Sequence, residues 1–339
     1  MHFFANEGVI IMKIAFYALR DFDELAFAEK FSKQYGIDFV WTAEYPNEHN
    51  LELAKGCDGV SCTPCEMREE WVRTYHSYGV KYMLTRAIGY DHLPAKLIKE
   101  LGMHISTTPY PTECVAEYAL MLLLCCIRKF QQSMIRAAAQ DYTLKGKMGK
   151  DLCNCTVGVV GTGHIGQILI KYLSGFGCRI LAYDRFPKKE VADQVEYVDL
   201  DTLYSQSDII SLHVPSNNDT FHMIDQAAID KMKDGVIIVN TARGNVIDSS
   251  ALIASLKSGK IGGAGLDVIE NEAGLYYCNR MGDHIDNDEL AMLRSFPNVI
   301  VSPHLAFYVE STVSNMVEKN FIAIDALRKG ELSPFEIKL

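Results

Sequence analysis

Two residues of this chain have side chains suited to proton transfer and carboxylate binding. His304 stands in the sequence S-P-H, and an imidazole, with an ordinary pKa near 6.5, gives and takes protons around neutral pH. Arg243 stands in N-T-A-R-G, and its planar guanidinium can bind a carboxylate through two hydrogen bonds and polarise an adjacent carbonyl. Taken singly, each also has a structural reading, Arg243 as a surface charge and His304 as a buried core histidine.

A carboxylate beside His304 would hold the ring in one tautomer and favour its protonated form. The stretch D-V-I-E-N-E offers Asp267, Glu270 and Glu272, and spacing alone does not choose between the two glutamates. With Arg243, such a histidine–carboxylate pair would supply what hydride exchange between a 2-oxo acid and a nicotinamide requires. These requirements are a cation for the carboxylate and a group that exchanges the hydroxyl proton.

A glycine-rich turn provides a second chemical signal. The β-branched run at 156–160 predicts a buried parallel strand, and it leads into Gly161, Gly163 and Gly166 and then into a helix over 165–173. Glycines at this spacing allow a tight turn, close approach of a pyrophosphate and close packing of helix on strand. The N–H groups and the dipole of the helix start would face an anion.

An acidic residue follows at the place where a dinucleotide site requires one. Asp184 ends the predicted strand Arg179–Tyr183, about 20 residues beyond the glycines, where a carboxylate accepts hydrogen bonds from ribose hydroxyls. The sequence therefore predicts a dinucleotide site and favours NAD over NADP, since the carboxylate would repel a 2′-phosphate. Arg185, Lys188 and Lys189 weaken that preference somewhat.

The elements around these residues alternate between strand and helix in two blocks, which predicts an α/β fold of two doubly wound parallel-sheet domains. In the first block we expect strands at 13–17, 37–41, 59–61, 81–85 and 104–106, with helices at 24–35, 66–77 and 94–101. In the second block we expect strands at 156–160, 179–183, 209–212, 236–240, 262–266 and 299–302. Because ligands of such sheets bind beyond the carboxyl ends of the strands, the polar residues after the later strands should line one crevice.

A final helix over 310–327 should return to the first block, which makes that domain discontinuous. We expect residues 12–110 with 306–339 to form a substrate and catalytic domain and residues 111–305 to form the nucleotide domain. Residues 1–11 are interpreted as an N-terminal extension, because M-K-I-A-F-Y from Met12 is a typical opening strand.

A long apolar helix should open near Thr112. Its run from Val115 to Ile127 is apolar on nearly every face but spans only 13 residues, too few for a membrane crossing of about 20. Such a helix must be buried. We expect it to form a dimer interface, with an internal hinge helix as the alternative.

Composition excludes several classes of protein. With 48% apolar residues, 22% charged residues and a formal charge of −10, the chain is typical of a globular protein and offers no basic surface for nucleic acid. It shows no secretory signal, so we expect a cytoplasmic location with ten reduced cysteines. The pairs Cys62/Cys65 and Cys153/Cys155 could indicate zinc or redox chemistry, but small buried residues beside a strand end are the favoured interpretation, and no metal is expected.

The ordered set G-T-G-H-I-G, Y-D, H-V-P, N-T-A-R-G, L-D-V-x-E-x-E and S-P-H-L-A-F-Y resembles the D-2-hydroxyacid dehydrogenase family, in detail its D-lactate dehydrogenase branch. The resemblance implies a Rossmann NAD-binding domain inserted in a flavodoxin-like domain. It implies that Arg243 is the catalytic arginine, Glu272 the carboxylate partner and His304 the proton donor.

The family's contacts with cofactor and substrate carry over to this chain by motif. For NAD the resemblance implies Gly161, Gly163, His164, Ile165, Gly166, Asp184, Val214, Pro215, Thr220, Thr241, Ala242, Arg243 and Asp267. For the substrate it implies Ile88, Gly89, Tyr110, Arg243 and Tyr308. By itself, Gly89 after a strand would equally be an ordinary turn.

The resemblance implies NADH-dependent reduction of pyruvate to D-lactate, and the apolar helix indicates that the enzyme is a homodimer. Dehydrogenation of larger (R)-2-hydroxy acids such as 2-hydroxyisocaproate, phenyllactate or 2-hydroxyglutarate is the alternative, because the loop at 61–67 departs from the lactate enzymes. A third reading, from another class, is a nucleotide-sensing binding protein without enzymatic activity, since certain corepressors resemble the same fold.

Overall fold

The computed structural model describes residues 12–272 and 274–338. The chain divides into two compact units, the first running to Pro111 and resuming at Tyr308, and the second spanning Thr112–Phe307. The suggested N-terminal extension, residues 1–11, lies outside the described residues. In the described part of the chain, no helix is long and apolar enough to cross a membrane.

Strands are numbered in chain order. Those of the first unit are β1 Lys13–Phe16, β2 Asp38–Trp41, β3 Gly59–Cys62, β4 Tyr82–Thr85 and β5 His104–Ser106. Those of the second unit are β6 Thr156–Val160, β7 Arg179–Tyr183, β8 Glu196–Tyr197, β9 Ile209–Leu212, β10 Val236–Asn240, β11 Ile261–Leu266 and β12 Val299–Val301.

Helices are numbered in the same way. They are α1 Leu25–Tyr35, α2 Glu69–Ser77, α3 Ala95–Glu100, α4 Glu113–Ile127, α5 Phe130–Ala138, α6 His164–Ser174, α7 Leu200–Gln206, α8 Gln226–Lys231, α9 Ser249–Ser258, α10 Asp288–Ser295 and α11 Glu310–Arg328. Helix α11 lies in the first unit, where it packs against α1.

Both units contain a parallel sheet, which confirms the predicted fold class. The first sheet has the order β2-β1-β3-β4-β5 and the second the order β12-β11-β10-β9-β6-β7-β8. The first is the flavodoxin-like order 2-1-3-4-5. The second, counted from β6, reverses direction between β6 and β9 as in a Rossmann domain, with one added strand at its edge.

The period of two along a strand distributes side chains to both faces of the first sheet. Ile14 and Phe16 of β1 pack with α1 and α11 around Phe321, whereas Ala15 packs on the opposite face with α2 and α3. The aromatic rings of Phe16 and Phe321 lie 5.7 Å apart. A strand buried on both faces explains why consecutive residues of β1 (Ile14–Phe16) and β4 (Tyr82–Leu84) are apolar.

Helix α4 packs on the second sheet and on α6. Much of its apolar surface is therefore buried inside the second unit itself. The Cβ of Leu122 lies 3.0 Å from the position that a Cβ on Gly265 of β11 would occupy, which shows how closely helix and strand approach. Met121 is nevertheless 43% exposed. One face of α4 therefore belongs to the core while another reaches the surface.

One predicted boundary is wrong in an instructive way. Helix α2 begins at Glu69, three residues later than expected, because Arg68 has an extended backbone with ψ 145°. Cys62 ends β3, and the residues between β3 and α2 instead form a loop that contains Cys65.

Candidate active site

His304 and Glu272 form a hydrogen-bonded pair. The Nδ1 atom of His304 lies 2.6 Å from Oε1 of Glu272, and the other carboxylate oxygen accepts a bond of 3.0 Å from the backbone N–H of Ile269. Both side chains are partly exposed, at 30% and 23%. Because an ionised carboxylate only accepts, Nδ1 carries the proton, and Nε2 is the ring nitrogen left for a ligand.

His304 has an unusual backbone that a buried acid stabilises. Its φ is +53°, in the left-handed region that non-glycine residues rarely adopt. The carboxylate of Asp267, fully buried, accepts bonds from Ser302 Oγ at 2.7 Å, Leu305 N at 2.8 Å and Ala306 N at 2.9 Å. The N–H of His304 also donates to the carbonyl of Asp267 at 2.9 Å. Asp267, expected among the cofactor contacts, therefore organises the segment that carries His304.

The two glutamates left open by spacing occupy different places. Glu270 binds Nε2 of His222 through Oε1 at 2.7 Å and accepts from the N–H of Ser249 at 2.9 Å. It is therefore engaged by another histidine. The structure places Glu272, the residue that the resemblance selected, at His304.

Arg243 lies on a turn that is built by its neighbours. Asn240, the last residue of β10, accepts from the N–H of Ala242 at 3.0 Å and donates to the carbonyl of Arg243 at 2.9 Å. A Cβ on the following Gly244 would lie 2.0 Å from the carbonyl oxygen of Ile269, so only glycine allows this approach. The Arg243 turn thus packs directly on the segment that leads to Glu272.

The order of strands in the sheet places these three residues at one edge of the sheet. Arg243 follows β10, Glu272 follows β11 and His304 follows β12, and these three parallel strands are adjacent in the second sheet. Their carboxyl ends lie at one edge, where open α/β sheets bind ligands.

Two residues near His304 had no predicted role. The hydroxyl of Tyr277 donates to the carbonyl of His304 at 2.8 Å, and the rings of Tyr277 and Phe307 are 6.1 Å apart. The ring of Phe307 lies 6.4 Å from the imidazole, edge to face. The sequence signalled this only as aromatic residues near the histidine, because their contacts depend on how the long connection after β11 folds.

The glycine turn after β6 has the geometry of a pyrophosphate site. Gly161 has φ +95°, and Gly166 approaches it so closely that a Cβ would lie 2.0 Å from the Gly161 carbonyl oxygen. A Cβ on Gly163 would meet no atom within 4 Å among the described residues. Helix α6 begins at His164, and no side chain caps its first turn. An open space in front of an uncapped helix N-terminus fits a phosphate group.

Asp184 is held in place at the end of β7. Its Oδ2 accepts from the N–H of Thr162 at 2.6 Å and its Oδ1 from the N–H of Phe186 at 2.8 Å. The basic residue that follows, Arg185, forms an ion pair of 2.8 Å with Asp219. The carboxylate is therefore oriented beside the glycine turn, while the nearest cation is neutralised by another acid. This arrangement fits the ribose of NAD better than the 2′-phosphate of NADP.

The other expected cofactor residues lie on loops at the same edge of the second sheet. Thr220, after β9, donates from Oγ1 to the carbonyl of Pro215 at 2.6 Å, which closes the loop that follows Val214. Thr241, after β10, is buried, and its Oγ1 has no hydrogen-bond partner among the described residues. A buried hydroxyl without a partner is costly, and a bound cofactor would remove that cost.

A second histidine near the turn is excluded as a proton donor. Nε2 of His213 lies 2.8 Å from Ser211 Oγ, and burial lowers the pKa of His213 to about 4. The imidazole is therefore neutral at physiological pH.

The first unit contains a buried cation that sequence reasoning missed. The guanidinium of Arg86, 1% exposed, binds Glu24 Oε1 at 2.9 Å and Ser61 Oγ at 2.9 Å, and it also donates to the carbonyls of Tyr17 and Ala18. Arg86 immediately follows β4 and so joins the ends of β1, β3 and β4. No local pattern could pair it with Glu24, which is 62 positions away.

The substrate residues expected in the first unit lie either just after Arg86 in the sequence or on other loops. Ile88, 40% exposed, and Gly89 come directly after Arg86, and Tyr110 is half-buried after β5. The hydroxyl of Tyr308 donates to Asp23 Oδ2 at 2.7 Å, a bond that raises the pKa of Tyr308.

Comparison with known proteins gives a consistent result. The family model "D-isomer specific 2-hydroxyacid dehydrogenase, NAD binding domain" matches residues 120–306. The chain is 41% identical over 312 residues to an aromatic 2-oxoacid reductase of Clostridium sporogenes, covering 91% of this chain and 93% of that protein. It is 34% identical over 329 residues to the D-lactate dehydrogenase of Escherichia coli, covering 96% and 100%. The solved structure of a D-2-hydroxyisocaproate dehydrogenase is 37% identical with a TM-score of 0.86, covering 96% and 99%.

Two glycine substitutions should separate cofactor binding from packing. Gly163→Ala places a methyl group in the space that the pyrophosphate of NADH would occupy. We therefore expect roughly tenfold weaker NADH binding, the cost of overpacking that contact, and an unchanged midpoint of thermal unfolding. Gly166→Ala places it against a backbone carbonyl and should lower the midpoint. Fluorescence titration with NADH and thermal unfolding measure the two effects. Wild-type NADH affinity in Gly163→Ala would contradict the pyrophosphate assignment.

Proposed function

The chain belongs to the D-isomer-specific 2-hydroxyacid dehydrogenases, and from that premise we propose that it reduces 2-oxo acids to D-2-hydroxy acids through Arg243, Glu272 and His304. As a member of that family it is an NAD-dependent oxidoreductase rather than a nucleotide-sensing binding protein. The observation that carries the assignment of residues is the 2.6 Å bond between His304 and Glu272, on strand ends next to that of Arg243.

Each of the three side chains has a distinct task. Bound NADH supplies the hydride that the carbonyl carbon accepts. Arg243 binds the substrate carboxylate and polarises the carbonyl through its fork of N–H donors. Protonated His304 gives the Nε2 proton to the forming alkoxide, and Glu272 keeps the proton on Nδ1 and stabilises the imidazolium before transfer.

In the first unit we propose that backbone N–H groups of Ile88 and Gly89 bind the substrate carboxylate. Their loop leaves β4 next to the fully buried Arg86, whose four partners hold it rigidly. Rigid support of this kind favours precise placement of backbone donors. Tyr110 and Tyr308 are proposed as further substrate contacts.

Pyruvate is the substrate that the sequence favours. A second class, 2-oxo acids with larger side chains, is favoured by the relatives, which include an aromatic 2-oxoacid reductase at 41% identity and a D-2-hydroxyisocaproate dehydrogenase structure at 37%. Apolar pockets discriminate by only about 1–3 kcal/mol per methylene, so both classes can be substrates of one enzyme.

We propose a homodimer that forms through α4, α5 and the loop after α5. This surface exposes large apolar side chains, and isolated proteins rarely leave such patches uncovered. The exposed side chains are Met121, Phe130, Met134, Ile135, Tyr142, Leu144 and Met148. The loop is held by Arg136, which binds Asp141 and the carbonyl of Lys145 at 2.7 and 2.8 Å, so its apolar residues are presented in a defined arrangement.

We also propose a cytoplasmic location. None of the ten cysteines, all within the described residues, forms a disulfide, as a reducing compartment would ensure.

Replacement of the acid should remove most of the activity. His304→Gln should lower kcat by about 10²–10⁴, the usual contribution of a general acid. Glu272→Gln removes the carboxylate that holds the His304 ring while the ring itself remains, so we expect a smaller fall in kcat than in His304→Gln. Steady-state NADH oxidation across pH measures both, with His222→Gln, a member of the other histidine–glutamate pair, as the control. Wild-type turnover in His304→Gln would refute its role.

A substrate series should distinguish the two substrate classes. We expect NADH oxidation with pyruvate, and kcat/KM for pyruvate at least about tenfold above that for 2-oxoisocaproate, phenylpyruvate and 2-oxoglutarate if lactate is the main product. A reversed ratio would assign the larger 2-oxo acids. Silence with every 2-oxo acid would contradict the proposed function.

Charge placed on the apolar surface should dissociate the dimer. Ile135→Asp with Leu144→Asp buries two unpaired carboxylates in the proposed interface, so we expect the monomer mass by light scattering. Leu332→Asp, an exposed apolar site in the first unit, is the control and should leave the mass unchanged. A monomeric wild type, or a double variant with the dimer mass, would contradict the interface.

A further inference from the structure

Thr162 lies inside the glycine turn, between Gly161 and Gly163, and all its polar groups have partners. Its N–H and its hydroxyl both donate to Oδ2 of Asp184, at 2.6 and 3.1 Å, and its carbonyl accepts from Nε2 of Gln167 at 2.9 Å. The residue is fully buried. Thr162 therefore joins the glycine turn to the carboxylate that the proposed function places at the ribose of NAD.

The hydroxyl of Thr162 has a second partner in the phenol of Tyr197. The two hydroxyl oxygens lie 3.0 Å apart. An ionised carboxylate can only accept, so the Thr162 proton is directed to Asp184 and the proton between the two hydroxyls belongs to Tyr197. A chain of two hydrogen bonds thus runs from Tyr197 through Thr162 to Asp184.

The same phenol oxygen binds the backbone of the segment that follows Asp184. It accepts from the N–H of Lys188 at 3.0 Å. The carbonyl of Lys188 lies 3.3 Å from the phenol oxygen, farther than the hydroxyl of Thr162. Tyr197 therefore connects the glycine turn with the basic segment 185–189.

The position of Tyr197 in the sheet explains this reach. Tyr197 ends β8, the edge strand, and lies opposite Ala182 of β7. Asp184 follows two residues after Ala182, and side chains two positions apart along a strand point to the same face. The ring of Tyr197 packs on the hydrophobic core of the second unit. A phenylalanine would fill the same space and lose only the hydrogen bonds of the phenol.

The basic segment carries three cations that could bind a 2′-phosphate: Arg185, Lys188 and Lys189. The ion pair of Arg185 with Asp219 joins side chains that are 72% and 73% exposed, and such pairs contribute little to stability. The bond from the Lys188 N–H to Tyr197 is partly buried and acts on the backbone itself. It is therefore the firmer restraint on this segment.

We propose that Tyr197 is a positioning residue that sets the preference for NAD over NADP. Through Thr162 it orients the Asp184 carboxylate toward the ribose hydroxyls, and through Lys188 it restrains the basic segment from approaching a 2′-phosphate. The inference rests on the proposed function in one respect, the place of Asp184 at the ribose. Loss of the phenol hydroxyl should weaken NADH binding and leave NADPH binding unchanged or stronger.

Tyr197→Phe removes the hydroxyl and keeps the ring. We expect the Kd of NADH to rise roughly fivefold, the size of one lost hydrogen bond, and the ratio of the NADPH and NADH dissociation constants to fall at least as much. Fluorescence titration of the full-length protein with each dinucleotide measures both. The matched control is Tyr204→Phe, because Tyr204 is a buried tyrosine of the same unit whose hydroxyl lies 3.5 Å from the carbonyl of Met223. It should leave both constants unchanged.

An equal loss of affinity for both dinucleotides would show a purely structural role and would overturn the proposal, as would wild-type NADH affinity in Tyr197→Phe. Thr162→Val tests the path to the carboxylate, since valine has nearly the same shape and no hydroxyl. If Tyr197 acts through Thr162, the double variant should lose clearly less NADH affinity than the product of the two single losses. Independent losses that multiply would contradict the path.

Hydrogen exchange of the cofactor-free protein tests the restraint without cofactor or activity. In Tyr197→Phe, a peptide that contains 185–189 should exchange faster than in the wild type, because the Lys188 N–H has lost its acceptor. Tyr204→Phe should exchange as the wild type does. Unchanged exchange in Tyr197→Phe would overturn the restraint on the basic segment. A wild type that prefers NADH but reduces no 2-oxo acid would refute the proposed function, whereas loss of that preference in Tyr197→Phe would still support the role of Tyr197.

Discussion

The arrangement of the candidate site depends on one buried carboxylate. Asp267 has no exposed surface and satisfies its oxygens with the hydroxyl of Ser302 and two backbone N–H groups of the segment after His304. A buried carboxylate without such partners would be strongly destabilising, so the loop is held to the geometry that supplies them. That geometry includes the left-handed backbone of His304, and it brings Nδ1 of the ring to Glu272. His304 thus keeps its strained backbone because relaxing it would leave the buried Asp267 carboxylate without hydrogen-bond partners.

The glycine turn and the proposed proton donor are built by different parts of one sheet. The glycine turn depends on the absence of side chains. A Cβ on Gly161 or Gly166 would collide with backbone atoms, and a Cβ on Gly163 would fill the open space. The proposed chemistry depends instead on three functional groups: the guanidinium of Arg243, the carboxylate of Glu272 and the imidazole of His304. Adjacent parallel strands place the three side chains at one edge of the second sheet. In the proposed function, the cofactor and the reaction therefore depend on different residues of one Rossmann domain.

In the first unit a buried ion pair has a comparable role. Arg86 and Glu24 are both fully enclosed, and removing Glu24 would leave the Arg86 guanidinium without a carboxylate partner in the core. Their bonds connect the ends of three strands, one of which ends at Cys62. The loop at 61–67, which departs from the lactate enzymes in sequence, is also where helix α2 begins later than expected.

The sequence by itself determined the local elements and most of the chemistry. Strands β5, β6, β7, β9 and β10 have the predicted bounds, because buried β-branched runs and glycine turns are local signals. The residue types of the glycine turn, Asp184, Arg243 and His304 were readable for the same reason. Tertiary structure decided what depends on distant partners: Asp267 beneath the His304 loop, Arg86 with Glu24, and Glu272 rather than Glu270 against His304, a choice that spacing left open and that the family resemblance had indicated. These pairings join residues far apart in sequence, where no periodicity or spacing rule applies, and burial and hydrogen bonding select among otherwise equivalent side chains.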